Sequence, residues 1–232
     1  MDDDIDDYAG EIIVRYSLDI KTIRVIDNVV SAGNWKLKAD IIQDPEITPE
    51  ENDIKISLLK VRYFFEEIIS NGIIWCNSNE WASNAFLDDN GICTVGNIPI
   101  LTPHDPTDDH LAVIFQSKMN AFAPAGMQFN CVELVPNDYD VSFLFVGDAE
   151  EVLPTIDEWV GPRSFFDKPW WARNDGSTID ITPNEDADLT VKPDYAFSLD
   201  FLGEHLKPKE IKDGKIIKPT FNPTIIKGGK ED

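Results

Sequence analysis

Between Arg62 and Arg163 the chain carries one basic residue, Lys118, against sixteen aspartates and glutamates. So lopsided a stretch cannot neutralise its carboxylates by pairing within itself. They must face water, over a core built from the apolar residues between them. The material for that core is present, since 42% of the 232 residues are hydrophobic. The net charge of −23 therefore reads as an acidic surface on one folded domain rather than as disorder. Such a surface repels nucleic acid and anionic membrane and favours a cationic protein or a metal ion.

The longest apolar run, Leu111 to Phe115, is about five residues, far short of the ~20 that a membrane-spanning helix needs. The opening MDDDIDDY is acidic where a secretory leader needs a positive segment, which predicts a cytoplasmic protein. Cys76, Cys93 and Cys131 are odd in number and widely spaced, the pattern of buried, reduced thiols rather than of a disulfide or zinc framework.

Residues 1–9 read as a disordered acidic tail and residues 10–158 as the core domain. From Glu11 three β-rich runs follow, EIIVRYSLDI, TIRVIDNVV and WKLKADII, with a turn expected at Gly33-Asn34. Thr48-Pro49-Glu50-Glu51 has the form of a helix start, and Ile54, Leu58, Val61, Phe65 and Ile68 share one helical face. A second helix is expected behind Asp105-Pro106-Thr107-Asp108, with Leu111, Ile114, Phe115, Met119 and Phe122 on its buried side. IIWC, ICTV and IPIL between the helices read as short strands. MQFNCVELV and YDVSFLFVG read as a hairpin turning at Pro136-Asn137-Asp138. The order predicts an α+β fold, a mostly antiparallel sheet with two helices on one face and an irregular C-terminal extension.

Past Gly147 the regularity fades. Residues 159–206 form an aromatic loop and an acidic extension packed on the core, with a last strand around FSLDFL. Residues 207–232 form a basic arm: the first 206 residues hold thirteen basic and thirty-nine acidic side chains, whereas the last twenty-six hold seven and four. The prolines of that arm argue against a packed element.

Three clusters invite a functional reading. His104, Asp108 and His110 combine imidazole and carboxylate, which suits a divalent metal and an activated water. Helix capping accounts for the acids of that cluster without metal, so no metal or other cofactor is expected. Asp175, Asp180, Asn184, Glu185, Asp186 and Asp188 fail the spacing of a calcium loop and read as a solvated acidic segment. Trp159, Phe165, Phe166, Trp170 and Trp171 alternate with Arg163, Lys168 and Arg173. That combination is enriched at protein interfaces, and its competing role is to close one edge of the core.

No nucleophile elbow, phosphate-binding loop or zinc-protease motif is present. The sequence favours a non-enzymatic interaction protein that binds a partner with a basic surface, as a nucleic-acid mimic or an assembly subunit, or self-associates through the C-terminal arm. Direct contact with nucleic acid or membrane is not expected. The competing reading is a metal-dependent hydrolase built on His104 and His110.

Overall fold

Asp27 and Asn28 have φ of 51° and 62°, left-handed at both central positions as a two-residue hairpin requires. They join two fifteen-residue strands, β1 (Ile12–Ile26) and β2 (Val29–Gln43), in antiparallel register from Ile26↔Val29 to Ile12↔Ile42. The computed structural model describes residues 12–88, 93–138 and 140–197. The acidic tail, nearly all of FSLDFL and the basic arm lie outside them.

This hairpin corrects the expectation of three strands. Gly33 lies inside β2 and is glycine because Trp35, two residues on and on the same face, lies across it. A Cβ at Gly33 would meet the indole at 1.8 Å.

Helix α1 (Glu51–Tyr63) starts at Glu51, behind Glu50 as N-cap, and Thr48 makes no cap. At its end the helix widens into a π-turn, Phe64–Ile68, where the Ile69 N–H reaches the Phe64 carbonyl. Phe64, Phe65, Ile68 and Ile69 are all buried there. β3 (Gly72–Cys76) follows, then α2 (Glu80–Phe86), β4 (Ile98–Thr102) and α3 (Asp108–Phe122). β5 (Met127–Pro136) and β6 (Phe143–Val146) form the expected hairpin, and α4 (Ile156–Val160) begins at a Thr155–Glu158 capping box.

The fold is α+β on one six-stranded sheet, in the order β4-β3-β1-β2-β5-β6. The sheet is mixed, because β3 runs parallel to both β1 and β4 while the other three ladders are antiparallel. Helices α1 and α3 share one face, packed on Leu18, Ile20, Trp35, Leu37, Val132 and Leu134. The short α2 packs on the opposite face, where Ala82 joins Val25, Ile73 and Trp75 in a second cluster. Strand period accounts for the split, since Ile73 and Trp75 point away from the side that Ile74 faces. ICTV is not a strand within the described residues; Cys93 makes a single bridge to Leu87.

The β4 edge is covered by the C-terminal extension. Leu101 N–H donates to the Thr178 carbonyl at 3.0 Å, the Thr178 hydroxyl to the Pro99 carbonyl at 2.7 Å and the Trp170 indole to the Leu101 carbonyl at 2.8 Å.

Gly33→Ala tests the packing at the sheet centre. It should cost about 1–3 kcal/mol, because Trp35 must leave its place over the strand. Urea denaturation reads this as a lower midpoint at unchanged slope, and a neutral substitution would show that the indole has room to move.

Candidate functional site

α3 is buried on every side from Leu111 to Met119, because the sheet lies under it and residues 170–173 lie against it. Its polar residues must therefore find partners inside. The Gln116 amide donates to the Asn130 and Gly147 carbonyls, both at 3.0 Å, and the Ser117 hydroxyl donates to the Trp171 carbonyl at 3.3 Å.

Lys118 is the extreme case. The one basic residue between Arg62 and Arg163 is wholly buried, and its ammonium donates to the Trp170 and Arg173 carbonyls at 2.8 and 2.9 Å. The rings of Phe64, Phe122 and Trp170 surround it, with centroids 5.0, 5.1 and 5.7 Å away. Burial pushes its pKa from 10.5 down to about 7, opposed by the Asp175 carboxylate at 3.8 Å.

The aromatic segment turns inward around the same group. Trp170 and Trp171 are 0% and 1% exposed, so the two rings expected at an interface belong to the core. Arg173, 9% exposed, is clamped by Asp180 and Asp175, donates to the Lys168 carbonyl at 2.9 Å and lies 3.9 Å above the Phe166 ring. Asp180 also accepts from the Trp170 backbone at 2.9 Å and from the Trp159 indole at 3.1 Å. Asp175 and Asp180 are thus internal partners of the aromatic segment, which corrects their reading as solvated acids. Trp159 sits edge-on to Trp171 at 5.2 Å, and Arg163 donates to the Ala187 carbonyl at 2.8 Å. Phe165 is half-buried, and Lys168 alone of the eight is fully exposed.

His104 and His110 do come together, edge to face with centroids 5.1 Å apart. Burial and the neighbouring His104 push His110 down to about 4, with Asp109 opposing. Asp108, however, is the first residue of α3 rather than its third, and points elsewhere. It accepts from Arg24 at 2.5 Å and from the Trp35 indole at 3.0 Å. The three residues therefore do not form one ligand set, and among the described residues no group of three or more His, Cys, Asp or Glu side chains is placed to share an ion. Of the three free thiols only Cys76 is buried; Cys93 and Cys131 are half-exposed, against the expectation that all three are interior.

One concavity was not foreseen. A cleft of about 670 Å³ opens between the end of β2, α3, the start of β5 and the 147–150 turn. Asp44, Asp148 and Glu150 stand on its lining with Lys168 as the one basic residue. Gly147, at φ 134°, directs its carbonyl to Gln116 from this turn. No helix among the described residues is long and apolar enough to cross a membrane. No protein-family model matches the chain, and no curated protein shows significant sequence similarity to it.

Two substitutions test the buried network. Asp180→Ala strips Arg173 of a buried partner and should cost about 3–5 kcal/mol by denaturant titration. Lys118→Met should change the pH dependence of stability. Below pH 7 both folded and unfolded wild type hold the Lys118 proton, while between about 7 and 10.5 only the unfolded chain does. Wild-type stability therefore rises through that window by up to about 1.4 kcal/mol per pH unit. The difference between wild type and Lys118→Met should grow in favour of wild type from pH 6 to pH 10. A constant difference would show that Lys118 titrates outside that range.

Proposed function

We propose that this protein is a non-enzymatic interaction protein whose acidic surface receives a partner with a basic surface. One observation carries the reading: a run of carboxylates is outside while the one basic residue between Arg62 and Arg163 is inside. Asp148, Glu150, Glu151, Asp157 and Glu158 are all exposed within eleven residues, beside the cleft, whereas Lys118 is sealed in the core and pairs with none of them. The exposed Val152 among them, 55% accessible, adds an apolar contact to the ridge.

Charge of this kind steers encounter and sets its salt dependence, while buried contacts set the lifetime of the complex. The burial of Trp170 and Trp171 removes them as anchors and moves the reading from the aromatic segment to the acidic ridge. The partner is a nucleic-acid-binding protein, the protein acting as its mimic, or an assembly partner that includes the basic arm of a second copy. A reducing compartment such as the cytoplasm suits the three free thiols.

Affinity capture from the native host in low and high salt, followed by kinetics with the purified partner, tests this. Neutralising Asp148, Glu150, Glu151 and Asp157 together should leave the melting temperature within a few degrees, because all four are exposed. It should slow association at least about tenfold and flatten its salt dependence. An association rate that is indifferent to both salt and the four substitutions would remove the acidic ridge from the interface.

A further inference from the structure

On the cleft-facing side of α3 two amide side chains stand one turn apart, and they differ in a telling way. Asn120 is satisfied at both ends, accepting from the Phe129 N–H at 2.8 Å and donating to its carbonyl at 3.2 Å. Gln116 is 0% exposed and uses its nitrogen twice, yet its Oε1 is buried with no hydrogen-bond partner. A buried acceptor without a donor is uncommon in folded proteins, and on a cleft wall it can be completed by a donor from outside the chain.

The surroundings say which donor. Gln116 forms part of the cleft wall, together with the carboxylates of Asp44, Asp148 and Glu150. Asp44 and Asp148 each give one oxygen to a local turn, to the Glu46 and Glu150 N–H groups at 2.8 Å, which holds both carboxylates in place at the rim. An acceptor at the wall and three carboxylates against one lysine select a group that carries several N–H donors and a positive charge. The volume, about 670 Å³, lies in the range of side-chain and small-ligand pockets.

We infer that this cleft is the specificity pocket for the cationic partner, taking an arginine side chain whose guanidinium meets the Gln116 oxygen and the Asp148 and Glu150 carboxylates. Arginine fits better than lysine because its planar fork offers five donors to acceptors on different sides. The inference rests on the interaction reading above and gives it an address. Lys168 competes electrostatically for the same acids and weakens the site.

Nuclear magnetic resonance of the ¹⁵N-labelled full chain, titrated with acetyl-Gly-Arg-Gly-amide and with its Gln counterpart, separates the two claims. The arginine peptide should shift the Gln116 side-chain amide and the 147–150 backbone amides saturably, and the glutamine peptide should not. Asp148→Asn with Glu150→Gln, which keeps the turn hydrogen bond available, should weaken binding about tenfold. Lys168→Ala should strengthen it severalfold. Shifts confined to residues 151–158, with Gln116 unmoved, would overturn the pocket and leave the acidic-surface reading standing. Equal shifts with both peptides would overturn the selection for positive charge at this cleft. Absence of any shift, with the arginine peptide and with an octa-arginine chain alike, would sink both.

Discussion

One ammonium group ties the two halves of this molecule together. Lys118 belongs to α3, but its hydrogen-bond acceptors are carbonyls fifty-two and fifty-five residues downstream, in a segment with little regular structure of its own. Residues 170–180 stay in place because the interior offers them a buried cation, the rings of Phe64 and Phe122 and a strand edge to complete. Each part would be costly without the others. The ammonium would be an unpaired charge in the core, the carbonyls would lack donors and β4 would present an open edge.

The same arrangement organises the charge. Basic residues near the sheet are paired locally, as Arg15 with Asp40 and Lys38 with Glu133, on the face turned away from α1 and α3. Arg24 is drawn to Asp108 at the start of α3, and Arg173 to Asp175 and Asp180. Cations are therefore spent on architecture, and the carboxylates from Asp148 to Glu158 are left to dominate the surface beside the cleft.

Much of the fold was legible in the sequence because period and punctuation agreed there. The helical spacing of α3, the alternation in β5 and the Pro136-Asn137-Asp138 turn each pointed one way. The failures have physical causes. Gly33-Asn34 looks like a turn, yet Gly33 serves the Trp35 indole, a demand visible only once the side chains are placed. The hairpin turn fell instead on Asp27-Asn28, where two short polar residues tolerate left-handed backbone without glycine. The π-turn at Phe64 leaves no mark on a pattern of fours and threes. Of the candidate site, the aromatic and basic residues of 159–173 were found, but composition does not distinguish an arginine that waits for a partner from one already paired to Asp180. The cleft escaped because Gln116 stands in an apolar helix with nothing beside it in sequence to suggest an unmet acceptor.

Trp170 and Arg173 also set a constraint on the order in which the molecule can be completed. A chain emerging N-terminus first brings out the sheet strands and α3 before the carbonyls that receive Lys118 exist. Until residues 170–180 arrive, that ammonium must stay in water, holding α3 away from its final depth and the aromatic rings of Phe64 and Phe122 apart from their ceiling. Residues 170–180 thus cover a centre that the elements before them leave open. A chain cut short of Trp170 would leave the Lys118 ammonium without its two carbonyl acceptors and Phe64 without the indole stacked on it.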